Sequence, residues 1–485
     1  MIRLLFATSL LLISFSPLNA LTTKTYDYAA YKTEALDLKE NGICFVSTGK
    51  TDGMYSVESN EFRFLILNTE GGLLLNKSIK MDTRFHRGYS ITADLTGTYI
   101  YIATYYERAA KSQGLNPTGA TDVSDVIITR VDLKGNIIQQ KYPQMNAGTI
   151  MHFFANSSGL HMICTDKSYE WFCYDVKNSC SVKYYFFDAA TLTKSELDHD
   201  LDGGASNGHN YWKLARHEEE KTTFYRLKLV VTGLKQYEVE FRILNNQGKK
   251  IKDHEVNLSA AKGFPYLSNF VTHHRYAGTI NGTCNAGHSF RVTGGQGSAD
   301  YTYARTPDGY GIIVSDPDNS CFWFCGQLTQ KEGDNGKSFN VSDGFIISKI
   351  TNNFNVEFSN EQIGLRASSK INTLVNHLGS LQMFFSPTGK INCLFKEEPF
   401  GSFFMTCDKT KDASFTFREI KAGKKRKSLF YTYGAYLPEK GNIIELPEVH
   451  EAAKHFSEEV YFATLKKQYY FVNNYKEGKA TLFFE

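Results

Sequence analysis

The chain has 485 residues, 42% of them hydrophobic and 22% charged, with a formal net charge of +3. So even a balance excludes the basic footprint of a nucleic-acid binder, and no apolar run reaches the ~20 residues that a bilayer-spanning helix needs. Length alone would suggest about three domains, a rule that repeat folds routinely exceed.

First in chain order come Met1-Ile2-Arg3, an apolar run over residues 4–15 and Ser16-Pro17-Leu18-Asn19-Ala20. A charged start, a short apolar core and a small residue at the cut mark a secretory signal peptide over residues 1–20, leaving residues 21–485 as a secreted, extracellular domain. Residues 25–31 then read as a strand. Phe62-Arg63-Phe64-Leu65-Ile66-Leu67 and Tyr237-Glu238-Val239-Glu240-Phe241-Arg242-Ile243-Leu244 read as strands that bury one face against a neighbouring sheet.

A four-strand unit occurs twice in closely matched form. It runs Gly88-Tyr89-Ser90-Ile91, Tyr99-Ile100-Tyr101-Ile102-Ala103, a polar loop, Val123-Ser124-Asp125-Val126-Ile127-Ile128-Thr129-Arg130-Val131-Asp132, then Gly135-Asn136-Ile137-Ile138. It returns as Gly309-Tyr310-Gly311-Ile312, Cys321-Phe322-Trp323-Phe324-Cys325, a polar loop, Val341-Ser342-Asp343-Gly344-Phe345-Ile346-Ile347-Ser348-Lys349-Ile350, then Phe354-Asn355-Val356. The junction between third and fourth strands recurs with a polar turn residue at Asn68, Asp132, Asp188, Asn245, Thr293, Thr351 and Asp408. The intervals, about 50 to 64 residues, suit propeller blades rather than helical solenoids. Asn and Asp serve such turns by bonding back to their own backbone, and a following Gly supplies positive φ. A weaker junction at Lys466-Lys467-Gln468 would add an eighth. Residues 448–456 are the one good helical stretch.

These units resemble secreted β-propeller repeat proteins, whose repeat ends in a segment of the form Asp-x-Phe-Ile-x-Lys-x-Asp-x-x-Gly-Asn. Residues 125–136 and 343–355 carry the match, with Phe354 where the turn Gly stands. The resemblance implies an all-β fold, a single β-propeller of seven blades, or eight, with four antiparallel strands per blade and edges closed by circularity. The strand over 25–31 would then complete the last blade. A stacked array of β-sandwiches is the alternative fold.

On a propeller, the loops joining second to third strands and fourth to next first strands share one face. The long insertions 50–60, 107–122 and 327–340, with 197–209 between the third and fourth units, collect there and make it the candidate binding surface. Within the last, Asp198-His199-Asp200-Leu201-Asp202-Gly203 has the alternating oxygens and the Gly that open a calcium loop, so Asp198, Asp200 and Asp202 are candidate calcium ligands. His209 then stands where a bidentate Glu is expected. His450 and His455, five apart, would project about 140° apart on a helix and would not share a metal. His273 and His274 lie on a strand-like stretch and face opposite ways. The basic run 421–427 reads as a solvated loop.

Nine cysteines follow the signal peptide, and an oxidising compartment favours pairing. Cys173 and Cys180 flank a turn at Val176-Lys177, and Cys393 and Cys407 are symmetric about Phe400, so both pairs are disulfide candidates across hairpins. Cys321 and Cys325, four apart on one strand, are about 13 Å apart and cannot pair. Asn76, Asn156, Asn257, Asn281 and Asn340 head Asn-x-Ser/Thr glycosylation sites, with Asn156, Asn281 and Asn340 in expected loops. The sequence holds no Gly-x-Ser-x-Gly elbow, phosphate loop, dinucleotide fingerprint or paired zinc spacing. It points to a non-catalytic secreted propeller that binds an extracellular protein or glycan, or assembles with copies of itself into a surface layer or fibre. A secreted polysaccharide-active enzyme is the second reading, because carboxylates converging from different blades leave no local motif.

Overall fold

Asn68 shows why a polar residue recurs at the junctions. Its N–H donates to the Gly72 carbonyl (2.8 Å), its carbonyl accepts from the Gly71 N–H (2.9 Å), and its Oδ1 accepts from the amides of Glu70 and Gly72. Asp132 accepts in the same way from Lys134 and Asn136, Asn245 from Gln247 and Lys249, and Asp188 from Ala190 and Thr191. Amides that a tight turn would leave unmet are thus satisfied within it. The turn also needs a residue of positive φ, supplied by Gly71 (67°), Gly135 (77°) and Gly248 (80°), and after Thr351 by Phe354 (60°). A left-handed backbone costs a side-chain-bearing residue roughly 1–2 kcal/mol. Phe354 sustains it because its ring is 9% exposed, stacked on His254 at 4.1 Å and packed on Phe241 and Phe322.

The structure is a computed structural model and describes residues 22–28, 31–48, 61–80, 88–107, 124–143, 145, 150–156, 158–165, 182–201, 212–228, 236–261, 264–265, 272–276, 287–292, 299–304, 311–332, 339–364, 380–385, 389–397, 401–420, 434–437, 442–445, 457–463, 467–474 and 478–484. The expected signal peptide and the expected helix over 448–456 lie outside these residues. Among them the helical element is one 3-10 turn, Lys39–Asn41.

The other described elements are antiparallel strands. β1 (Thr22–Asp27) leads into the first sheet, β2 (Tyr31–Asp37), β3 (Ile43–Thr48), β4 (Glu61–Leu67) and β5 (Leu73–Lys80). The second holds β6 (Gly88–Ala93), β7 (Tyr99–Glu107), β8 (Ser124–Asp132) and β9 (Ile137–Tyr142). The third holds β10 (Ile150–Ala155), β11 (Gly159–Thr165), β12 (Val182–Asp188) and β13 (Lys194–Glu196). The fourth holds β14 (Lys213–His217), β15 (Lys221–Lys228), β16 (Gln236–Asn245) and β17 (Lys250–Ser259). β18 (Phe264–Pro265) precedes a separate three-stranded sheet of β19 (Thr272–Tyr276), β20 (Gly287–Val292) and β21 (Ala299–Ala304), so the short unit expected around Thr293 is an insertion of its own. Thr293 itself lies outside the described residues.

The fifth four-strand run is β22 (Gly311–Ser315), β23 (Cys321–Glu332), β24 (Phe339–Thr351) and β25 (Val356–Ile363), with β18 added to β23. The sixth is β26 (Ser380–Phe385), β27 (Lys390–Glu397), β28 (Gly401–Asp408) and β29 (Thr416–Ile420). After a two-stranded hairpin, β30 (Gly434–Leu437) and β31 (Asn442–Glu445), the last sheet takes β32 (Ser457–Ala463), β33 (Gln468–Asn474) and β34 (Lys479–Phe484). Its fourth strand is β1, registered Thr22 to Phe484 through Asp27 to Lys479. The junction expected at 466–468 therefore falls between the first and second strands of this sheet and is not a further third-to-fourth junction.

The first strands approach one another in series: β2 by β6, β6 by β10, β10 by β14, β14 by β22, β22 by β26, β26 by β32, and β32 by β2. Second and third strands are covered on both sides. In β4 the residues Phe62, Phe64, Leu65, Ile66 and Leu67 are all fully buried, which corrects the expectation of one buried face. One side of β4 packs with Phe471 and Leu482 of the last sheet, the other with Ile100 and Ile102 of the second. Each such side chain contributes about 1.5–3 kcal/mol by leaving water. Outer strands are wet: along β9 Ile137 to Lys141 are all exposed.

Candidate functional site

Because each sheet is an antiparallel meander, first-to-second and third-to-fourth turns lie at one end and the remaining connections at the other. The turn end is bonded from sheet to sheet. Asn41 Nδ2 donates to the carbonyls of Thr96 (3.1 Å) and Gly97 (3.2 Å), and Lys77 Nζ to that of Gly135 (2.7 Å). Arg130 Nη1 reaches the Ala189 carbonyl (2.6 Å), and Asn156 Nδ2 the Asn246 Oδ1 (3.1 Å). Asn360 Nδ2 donates to the Thr410 carbonyl (2.9 Å), and Lys467 Nζ, from the last sheet, to the Thr69 carbonyl of the first (2.9 Å). Arg216 joins the fourth and fifth sheets. Its guanidinium donates to Ser315 Oγ (2.7 Å), Asn352 Oδ1 (3.0 Å) and the Cys321 carbonyl (2.9 Å) and lies 4.0 Å over the Phe322 ring.

The opposite end carries the long connections and is the candidate site. Residues 50–60 and 108–122 of its insertions lie outside the described residues. Their described bases are polar. In the first sheet the buried hydroxyls of Tyr28, Thr33 and Ser47 are linked, Thr33 to Ser47 at 2.8 Å, with the Arg63 guanidinium 5.0 Å over the Tyr28 ring and bonded to the Asp27 carbonyl (2.8 Å). In the second, Asp125 and Lys141 are 3.7 Å apart. In the fourth, Arg226 donates to Glu240 (2.6 Å), and the guanidinium groups of Arg226 and Arg242 lie 4.4 and 4.6 Å from the Trp212 ring. Glu361 accepts from the Ala261 amide (2.8 Å), tying the end of β25 to the end of β17.

One expected feature of this face is placed differently. The loop expected over 327–340 is largely strand, since β23 extends to Glu332 and β24 starts at Phe339. Residues 197–201 run on beside β12, with the Leu197 amide donating to the Tyr184 carbonyl (2.8 Å) and His199 Nε2 2.9 Å from the Val182 carbonyl, and they also meet the β16–β17 turn. There Asp198 Oδ2 bonds Lys249 Nζ (2.6 Å), Asp200 Oδ2 accepts from the Lys250 amide (2.6 Å), and the Asp200 amide donates to the Gly248 carbonyl (3.0 Å). Lys249 holds the Asp198 carboxyl below its ordinary range. Asp202 lies outside the described residues.

The remaining candidates divide by burial. Asn156 does sit in a turn but is 4% exposed, its Oδ1 accepting from Ser158 and Gly159, so a glycan has no access to it. Asn340 is on β24, not in a loop. Asn76 and Asn257 are exposed on outer strands. Asn281, Cys173 and Cys180 lie outside the described residues. Cys393 and Cys407 are both free and buried. Glu397 faces Gly401, which centres their hairpin on residue 399; Cys393 is then opposite Met405, and Cys407 opposite Ile391.

A group the sequence reading missed lies between the third and fourth sheets. His161, fully buried on β11, has Nδ1 3.0 Å from the Tyr184 hydroxyl and its ring stacked on Phe154 at 5.0 Å. His152 Nε2 is 2.9 Å from the Trp212 carbonyl. Burial pulls both imidazoles down to about 4, so both are neutral near pH 7. No sequence signal marks them, because their partners come from other strands.

No family model matches the chain, and no curated protein matches its sequence. Among solved structures the chain is similar to the hydrazine synthase of Kuenenia stuttgartiensis, at TM-score 0.35 and 10% identity over 77% of this chain and 75% of that one. It is also similar to the parainfluenza virus 5 hemagglutinin-neuraminidase ectodomain (TM-score 0.33, 7% identity, 81% of this chain and 83% of that one). A third is TolB from Acinetobacter baumannii (TM-score 0.29, 9% identity, 91% of this chain and 79% of that one). Scores this low leave the chain's own sheets and side chains to carry the functional reading.

Proposed function

We propose that residues 21–485 form a single seven-bladed β-propeller, secreted after cleavage behind Ala20, which acts as a non-catalytic extracellular binding or adhesion module. Three features support the ring: seven four-strand runs, first strands in contact from β2 through β32 and back to β2, and the ladder that pairs β1 with β34, the first and last of the described strands. The observation that carries the function is the difference between the two ends. One end is committed to sheet-to-sheet bonds; the other carries long connections on a rigid base, the arrangement from which binding surfaces are built. Its partner is an extracellular protein or glycan, or a second copy of the chain, and glycans of its own sit at the exposed Asn76 and Asn257.

The test replaces residues 108–122 with a short Gly-Ser linker and applies the secreted protein to a glycan array, to extracellular matrix proteins and to sedimentation analysis. The expected result is binding or self-association that the replacement abolishes while Tm is unchanged. Binding indifferent to the replacement, or turnover of a polysaccharide, would overturn the reading in favour of another surface or of an axial catalytic pocket.

A further inference from the structure

Four cysteines lie at the boundary of the fifth and sixth sheets. Cys321 and Cys325 on β23, with Cys393 on β27 and Cys407 on β28, are buried in one cluster with Trp323, Met383 and Met405. Across the gap between the sheets, Cys393 Sγ and Cys325 Sγ are 3.8 Å apart. Register opposes the other pairing within the sixth sheet. Cys393 and Cys407 are diagonal neighbours, a relation that sets residues about 7–8 Å apart, their Cβ atoms somewhat less, against about 3.8 Å between Cβ atoms across a disulfide.

We propose that Cys325 and Cys393 form a disulfide that ties the fifth sheet to the sixth. Bond formation, at about 2.05 Å, brings the sulfurs roughly 1.8 Å closer than they stand. Met383 and Met405, unbranched and adaptable, are the neighbours that yield to the shift. The reaction is a two-electron oxidation by a small disulfide such as oxidised glutathione. One cysteine thiolate attacks it and releases a thiol; the second cysteine thiolate then displaces the remaining half as another thiol. Cys325 and Cys393 together lose two protons and two electrons, and the oxidant becomes two thiols. Both sulfurs are wholly buried, so the exchange takes place as the two sheets come together, and the finished bond is shielded from reductant.

The bond's formation in the cell rests on the secretory reading, whereas the pairing itself rests on the geometry. The full chain is therefore refolded from denaturant in glutathione redox buffer, its free thiols are alkylated, and its peptides are mapped without reduction. A peptide joining Cys325 to Cys393 is expected, with a Tm several degrees above that of the reduced protein. Cys407→Ala should keep both and Cys393→Ala should lose both. Alkylated Cys325 and Cys393 after refolding, or a peptide joining Cys393 to Cys407, would overturn the pairing, and this map needs no variant to fold. A cross-link in the refolded chain but not in chain recovered from secreting cells supports the pairing and counts against the secretory reading.

Discussion

Lowering the pH from 7 to 5 should weaken the boundary between the third and fourth sheets, and His161 is the main reason. Its Nδ1 bonds the Tyr184 hydroxyl and its Nε2 has no hydrogen-bond partner among the described residues, so none of these stands ready to stabilise a second proton. Burial first, and the nearby His217 second, hold its pKa at about 4, against the 6.5 of an unperturbed imidazole. Between those values the unfolded chain binds a proton that the folded chain does not. Stability is therefore full above pH 6.5 and falls as the pH drops towards 4. At 1.36 kcal/mol per pKa unit the loss is about 2 kcal/mol at pH 5 and about 3 kcal/mol below pH 4. His152, whose pKa burial also pulls down to about 4, adds a loss of the same sign. The assay is urea unfolding at pH 7 and pH 5 for the wild type and for the double variant His161→Phe, Tyr184→Phe, which removes both partners of the hydrogen bond and keeps the stack on Phe154. The variant should lose about 2 kcal/mol less between the two pH values. An identical pH dependence in both proteins would refute the reasoning.

Phe354→Ala keeps the left-handed backbone and removes the ring that sustains it, so thermal unfolding should show a loss of about 3–5 kcal/mol. Arg216→Ala, which strips bonds from Ser315, Asn352 and the Cys321 carbonyl at once, should cost about 3 kcal/mol in urea unfolding. Arg216→Lys should not restore it, because an ammonium cannot reproduce the planar fork. Deleting residues 22–28 should lower Tm and induce concentration-dependent association seen by light scattering, since it uncovers the edge of β34. A monomeric deletion variant with wild-type Tm would count against the β1–β34 ladder.

The sequence revealed the order of strands and the chemistry of their turns because both are local. Asn68, Asp132, Asp188 and Asn245 bond amides two to four residues away, within the reach of any reading of neighbours. It misjudged features set by a single residue of register or by remote partners. The Cys393 hairpin is centred one residue from where symmetry about Phe400 places it, which is enough to move Cys407 off its partner. Alternation along Phe62 to Leu67 concealed burial on both sides, because the second cover comes from another sheet. The partners of Arg216 are 99, 105 and 136 residues away, and no spacing foretells them. The bonds of Asp198 and Asp200 to Lys249 and Lys250 likewise span about fifty residues, so no local pattern shows them.

The ladder between β1 and β34 also governs how the protein is made. Of the described strands, β1 leaves the ribosome before its partner β34 and the strands between them, so until β34 is made β1 has no ladder to join and the sheet of β32 to β34 lacks its outer edge. Every earlier four-strand run can form as its own segment emerges, but the last sheet completes only after Phe484. Covalent order is correspondingly loose. With β1 and β34 held in one ladder, a chain in which a linker joins these two strands and which is reopened at the exposed Lys134 turn would present the same sheets in the same neighbourhood, and would differ only in which of them waits.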